Sequence, residues 1–296
     1  EFPKSPNIWD TLEGKPEYQR VWAGDSLHDD KDALSIRARF LFGCNAFVDS
    51  QIGRLLAAID RLAPDTVVIY TSDHGDFLSS HSLSGKGPAF YDEITRVPLL
   101  IRDPEHPEHY GQLAPHPVSH INLVPTILDY AGLPIPKLLE GPSIRPTLAD
   151  PSNRVQDYIF TEYGRYEIDH DGFGGFQPMR SVSDGRYKLS LHLLSTDELY
   201  DITTDPHELH NLIEDPAHAA QRDQLHDALL DWMNETRDPF RGYYWERRPW
   251  RSDARPASWD YTGYTRQREN EEYEPRQLNY STGLEMEEAH RPKPPA

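Results

Sequence analysis

The segment Thr71-Ser72-Asp73-His74-Gly75-Asp76 sets a carboxylate and an imidazole side by side, directly after an apolar, β-branched run. Asp73 offers a hard oxygen and His74 a ring nitrogen, both ordinary ligands for a divalent cation. Adjacent residues of a strand point to opposite faces, so the two can serve one ion only where the strand has ended. Gly75 lets the chain turn away at that point. The same residues also suit a strand-end turn carrying a solvated histidine. Twelve residues beyond His74, Gly85-Lys86-Gly87 holds an ammonium clear of neighbouring side chains, with bare backbone on either side for an approaching anion. No glycine stands five residues before Gly85 and no Ser or Thr follows Lys86, so this is not a P-loop. Lys86 is a point charge for an oxyanion, or else a surface turn. His81, between the two motifs, suits proton donation to a leaving oxygen, or an idle surface position. Arg96 follows Tyr91-Asp92-Glu93 and is either a substrate contact or one partner of a geometry-fixing ion pair.

The elements that must hold these residues alternate. Ala33, Ile36, Phe40, Phe47, Leu55, Ile59 and Leu62 recur at helical spacing, predicting a helix from Lys31 to about Leu62 that Pro64-Asp65 ends. Thr66–Thr71 and Val97–Ile101 are continuous apolar runs, the pattern of strands covered on both faces in a parallel sheet. A short helix at Ala89–Thr95 lies between them. A further helix at Ile121–Ala131 tolerates Pro125 near its first turn and stops at Gly132. This is doubly wound α/β logic, in which ligands sit beyond the carboxyl ends of the strands, where Asp73 and His74 fall. Residues 1–30 read as irregular, anchored by Trp9, Tyr18 and Trp22.

After about Asp150 the pattern becomes antiparallel. Short strands are predicted at Tyr158–Thr161, Arg180–Val182, Tyr187–Leu193 and Glu198–Asp201, with Asp184-Gly185 as a two-residue hairpin turn. Asp215-Pro216 then reads as N-cap and first residue of a helix with Leu225, Ala228, Leu229, Trp232 and Met233 on one face. From Asp238 onward there is no Val or Ile, while Tyr243, Tyr244, Trp245, Trp250, Trp259, Tyr261 and Tyr264 crowd among prolines. Such a segment cannot build its own core and is expected to coat the preceding domains. The expected organisation is 1–150 as part of an α/β catalytic domain, 151–237 as a small α+β subdomain and 238–296 as an extended aromatic tail.

Composition narrows the function. The 296 residues carry 49 acidic against 30 basic side chains, a formal charge of −19 that would repel nucleic-acid phosphates. No run approaches the ~18–20 apolar residues of a membrane span. Cys44 is the single cysteine, which excludes an internal disulfide, an all-cysteine zinc site and an iron–sulfur cluster. The opening Glu1-Phe2-Pro3-Lys4 has neither the basic nor the apolar region of a signal peptide and reads as a start inside a longer protein.

Val67–Asp76, His81, Gly85-Lys86-Gly87, Tyr91-Asp92-Glu93 and Arg96–Ile101 together resemble the second half of a sulfatase catalytic domain, of the alkaline phosphatase superfamily. The resemblance continues through Asp49–Leu56 upstream. Downstream it takes in His120–Leu128 with Ala131-Gly132-Leu133, Arg186-Tyr187-Lys188, Glu198–Asp201, Asp205–Glu208 and Asn211-Leu212, although the family usually has Asp where Asn122 stands. It spans about residues 35–235 in consistent order. The resemblance implies a formylglycine nucleophile and a divalent metal, usually Ca2+. It assigns Asp73 and His74 as two metal ligands and Lys86 to the sulfate and leaving oxygen. His81 is a weaker candidate for leaving-group protonation. The substrate would be a small sulfate ester or a sulfated sugar. The Cys/Ser-x-Pro-x-Arg motif that yields formylglycine is absent: Cys44 and Ser143 lack the required Pro and Arg spacing, and the family's first pair of Asp ligands is missing too. The chain is therefore expected to need an N-terminal portion of the catalytic domain, and to be inactive alone.

Three other readings compete. A phosphonate monoester or phosphodiester hydrolase would use the same scaffold, metal and lysine against phosphorus. His74-Gly75-Asp76 with His116 or His120 could form the facial triad of a non-haem iron oxygenase, which requires a β jelly roll. The aromatic tail could stack on sugar rings in a non-catalytic binding protein.

Overall fold

The computed structural model describes residues 4–31, 34–136, 139–164, 177–236, 238 and 240–256, with only the backbone described at 34–38. The helices are α1 (Glu17–Ala23), α2 (Leu34–Leu62), α3 (Asp92–Thr95), α4 (Leu123–Tyr130), α5 (Arg145–Ala149), α6 (Ala219–Glu235) and α7 (Tyr243–Glu246). The strands are β1 (Val68–Thr71), β2 (Leu99–Arg102), β3 (Ile159–Tyr163), β4 (Met179–Ser183), β5 (Tyr187–His192) and β6 (Glu198–Asp201). The chain divides into two compact units, Glu1–Val118 with Ile144–Leu212, and Ser119–Ser143 with Ile213–Ala296.

In the first unit the two apolar runs form strands as their composition dictates, but they pair antiparallel, Val68 opposite Arg102 and Thr71 opposite Leu99. The parallel pairing expected from continuous apolar runs is thus corrected for this pair. The cause is local: the Gly75 amide donates to the Ile94 carbonyl at 3.0 Å. The connection therefore closes on its own start, β2 begins where β1 ends, and it must run back. The α/β class stands, since otherwise parallel sheets commonly carry antiparallel strands. No jelly roll occurs among the described residues, and the iron-oxygenase reading goes with it. Helix α2 follows its predicted bounds closely. Its apolar side chains nonetheless face water, with Phe40 74%, Phe47 67%, Leu55 61% and Leu62 73% exposed.

Strands β3 to β6 form an antiparallel sheet in sequence order. The β4–β5 turn is displaced by one residue from the predicted pair. Asp184 N–H bonds the Tyr187 carbonyl at 3.2 Å, so the central residues are Gly185 and Arg186. Gly185 has φ 95°, the positive value that this hairpin turn demands at its first central position.

The core of this unit gathers Leu12, Ala23, Phe77, Leu83, Ala89, Tyr91 and Tyr200. Residues 4–30 hold more regular structure than their composition suggests. Helix α1 buries Tyr18 and sets Trp22 edge-on to Phe77, 5.3 Å between centroids, whereas Trp9 is exposed, with the Lys4 ammonium over its ring. The sheet is bound to the loops after β1 by buried polar contacts. The Tyr91 hydroxyl donates to Glu198 at 2.7 Å, and Lys188 pairs with Asp92 at 2.7 Å and Glu208 at 2.6 Å.

In the second unit, Pro125 sits buried in the first turn of α4 and Gly132, φ 65°, follows its end. Asn122 and Ser119 cap the entry reciprocally, the Ser119 amide donating to Asn122 Oδ1 at 2.7 Å. Asp215 and Pro216 open a 3-10 turn, Pro216–His218, that leads into α6: Asp215 accepts from the Ala217 amide at 2.9 Å, and on α6 Leu225, Leu229 and Met233 are buried. Part of the aromatic segment does coat this helix. Trp245 is buried, and Trp250 lies under the Arg222 guanidinium at 4.5 Å and against His226. Tyr243 and Tyr244 are exposed, and Trp259, Tyr261 and Tyr264 lie outside the described residues. Among the described residues no helix is long and apolar enough to cross a membrane.

Candidate active site

Strand β1 ends at Thr71, which meets the condition for neighbouring side chains to converge. The Ser72 hydroxyl donates to the His74 carbonyl at 2.8 Å, and Asp73 Oδ1 accepts from the His74 amide at 3.0 Å. His74 Nδ1 lies 2.7 Å from the Gly75 carbonyl, to which only a protonated nitrogen can bond. That contact fixes the tautomer and leaves the Nε2 lone pair facing outward. Nε2 lies 3.5 Å from Asp73 Oδ2 and accepts from Lys86 Nζ at 2.8 Å. The Asp73 carboxyl is held below its ordinary range, chiefly by the His74 amide and then by the nearby imidazole and ammonium, so it stands ready as an anion.

Two glycines set this geometry through close approach. A Cβ on Gly75 would overlap the Glu93 carbonyl oxygen, so the turn can lie against α3 only without a side chain. A Cβ on Gly87 would come within 2.6 Å of the Trp22 ring. Gly85, φ 66°, accepts from the Phe77 amide at 3.0 Å and closes the loop that returns Lys86 to His74.

Asp73, His74 and Lys86 are thus brought together, and the other two predicted residues stand apart. His81 has a left-handed backbone, φ 53°, and a side chain with no exposed surface. Its Nδ1 lies 2.6 Å from Asp10 Oδ2, and its Nε2 3.0 Å from the Asn7 amide nitrogen and 3.6 Å from Glu93 Oε2. The ring stacks on Tyr91 at 3.8 Å. Burial opposes its charge, yet the bonds to Asp10 and Glu93 outweigh burial and raise its pKa. Against the same burial, His81 lowers both carboxyls to about 2, helped by Lys15 at Asp10 and Asn7 at Glu93. Both ring nitrogens are taken up by these buried partners. Arg96 is 79% exposed and, among the described residues, pairs with Asp92 at 3.5 Å. The residues that sequence reasoning missed are Asn7, Asp10 and Lys15. Lys15 Nζ bonds Asp10 at 2.5 Å and the Glu208 carbonyl at 2.6 Å. No local pattern marks them as a cluster, because His81, Glu93 and Glu208, which they also meet, lie far along the chain.

The donor set suits a divalent cation once the Lys86 ammonium gives up its bond to Nε2: one carboxylate oxygen and one imidazole nitrogen, 3.5 Å apart. Residues 18–133 match the Sulfatase family, and residues 86–235 match the family described as N-sulphoglucosamine sulphohydrolase, C-terminal. The uncharacterized sulfatase YidJ of Escherichia coli (strain K12) is 44% identical over 276 residues, 93% of this chain. The chain belongs to the sulfatase family, within the alkaline phosphatase superfamily. This sulfatase chain spans 53% of the length of that relative. Its fold is similar to that of a 2-O GAG sulfatase, TM-score 0.65 at 24% identity, covering 81% of this chain and 54% of the other. It is also similar to the phosphonate monoester hydrolase of Agrobacterium radiobacter, TM-score 0.56 at 30% identity, covering 64% of this chain and 40% of that one.

Proposed function

We propose that this chain is the part of a sulfuric ester hydrolase that holds one side of the metal and the sulfate, with a formylglycine nucleophile supplied by polypeptide outside this sequence. The observation that carries the reading is the meeting of Lys86 Nζ, His74 Nε2 and Asp73 Oδ2 beyond the end of β1. Asp73 and His74 would hold the cation, Ca2+ in this reading, which when bound polarises sulfate oxygens and favours the ionised nucleophile. Lys86 supplies a fixed positive charge to the sulfate and to the oxygen on which charge grows as the ester bond breaks. Arg96, free of any tight partner geometry, is assigned to the substrate's outer part. His81 serves as a positioning residue: it grips Glu93, whose carbonyl abuts Gly75 next to His74.

The substrate in this reading is a small sulfate ester or sulfated sugar, supported by the N-sulphoglucosamine sulphohydrolase match over 86–235. Residues 1–150 would complete the catalytic domain with an N-terminal portion, residues 151–237 form its C-terminal subdomain, and 238–296 the aromatic extension. A second reading, hydrolysis of phosphonate monoesters, is favoured by the likeness to the Agrobacterium enzyme at 30% identity. Turnover of an aryl sulfate and an aryl phosphonate by this chain, alone and joined to a formylglycine-bearing sulfatase portion, tests both. Aryl sulfate turnover only in the joined form is expected. Turnover by the mass-verified chain alone overturns the shared-site reading, and a preference for phosphonate selects the second.

A further inference from the structure

We propose a second divalent-cation site, of the zinc class, formed by Asp103, Glu105 and His106 just past the end of β2. One ligand atom from each of the three lies within 4.8 Å of the others. The decisive observation concerns Asp103, which is 3% exposed. Its Oδ1 accepts from the Glu105 amide at 3.0 Å, while its Oδ2 is buried with no hydrogen-bond partner among the described residues. A carboxylate oxygen withdrawn from water and left without a donor is costly, and a cation is the ligand that satisfies it.

The neighbouring groups leave capacity for this ion. Glu105 Oε2 is 2.5 Å from Arg145, which leaves Oε1; His106 Nδ1 is 3.4 Å from Glu108, which leaves Nε2. Two carboxylates and one imidazole with a water make a full set for zinc, whereas calcium takes about six to eight ligands, which the Asp73–His74 site would gain from the N-terminal portion and three residues here do not offer. The site is separate from Asp73 and His74. In the antiparallel ribbon Thr71 faces Leu99 and Val68 faces Arg102, so the two loops leave opposite ends. They stand roughly 10 Å or more apart at ~3.3 Å per residue. An ion here would fix the loop after β2 and leave the sulfate side untouched.

Histidine acylation by diethyl pyrocarbonate, mapped by peptide mass spectrometry on the unmodified chain with and without equimolar Zn2+, tests this directly. Zn2+ is expected to slow modification of His106 at least ten-fold and to leave His210, 79% exposed, unchanged, while Ca2+ protects neither. Equal modification of His106 with and without Zn2+ overturns the proposal. In a His74→Ala background, which removes the first site, calorimetric Zn2+ titration should weaken at least ten-fold in both Asp103→Asn and His106→Gln. Unchanged affinity in both also overturns it, and acylation of the unmodified chain decides the matter if either variant fails to fold.

Discussion

Lys86 Nζ donates to His74 Nε2 at 2.8 Å across a loop that leaves and returns between them. The ammonium therefore occupies the direction in which the imidazole would address a cation, and it stands within the field of the Asp73 carboxylate. A positive side chain at that place repels a metal and attracts an anion, so its removal should move the two affinities in opposite senses.

Lys86→Met is expected to strengthen Ca2+ binding several-fold in calorimetry while weakening sulfate binding. In the form carrying the nucleophile, kcat/KM for an aryl sulfate should fall by roughly 10²–10³, the loss typical of one missing oxyanion donor. Lys86→Arg should not restore it, because a planar guanidinium cannot take the place of a point charge between Gly85 and Gly87. Parallel loss of both affinities would contradict this account.

Gly75→Ala places a methyl into the Glu93 carbonyl, a backbone atom that cannot swing aside. Overpacking of this kind costs about 1–3 kcal/mol, readable as a lower urea midpoint. Gly87→Ala meets a side-chain ring instead, so its stability loss should be smaller while Lys86 is still displaced. Equal stability of Gly75→Ala and the parent chain would refute the close-approach argument.

The Asp10–His81–Glu93 cluster predicts a stability plateau bounded on both sides. The His81 pKa is raised above its ordinary 6.5, so its contribution is complete below that pH and is lost as pH rises through the folded value. Asp10 and Glu93 fall from 3.8 and 4.5 to about 2, so theirs is complete above the ordinary values and is lost as pH drops toward about 2. Melting temperature should be highest between about pH 4.5 and 6.5. His81→Gln should lower it and flatten the alkaline limb. A parent chain whose melting temperature does not decline above pH 6.5 would count against the cluster.

Cys44 is exposed on α2, the helix that shows Phe40, Phe47, Leu55 and Leu62 to water. A maleimide should label it at the rate of a free thiol in this chain. Labelling should slow at least ten-fold when the chain is part of a longer sulfatase that covers the helix. Undiminished labelling in the longer protein would argue against that coverage.

Much of the site was legible because its determinants are local. An apolar run broken by Asp73-His74-Gly75 marks a strand end, and Gly85-Lys86-Gly87 marks a bare cation. Helix α2 and the entry of α6 at Asp215-Pro216 followed from periodicity and capping. The antiparallel turn of β2 was hidden because it depends on Gly75 meeting Ile94. His81 looked like a surface residue because its partners, Asn7 and Asp10, lie more than seventy positions away. Asp103 gave no signal, since its burial follows from the fold around β2 and not from its neighbours in sequence.

The stretch from Asn7 to Lys15 threads into the interior, with Asn7, Leu12 and the Lys15 ammonium out of reach of solvent. A purification handle spliced into this stretch, or recombinant expression begun at Glu17, would tear out Asp10, one of the two carboxylates that charge His81, and one wall of the aromatic cluster. Material prepared that way should precipitate on release from a solubilising fusion partner, however intact the catalytic motifs downstream remain.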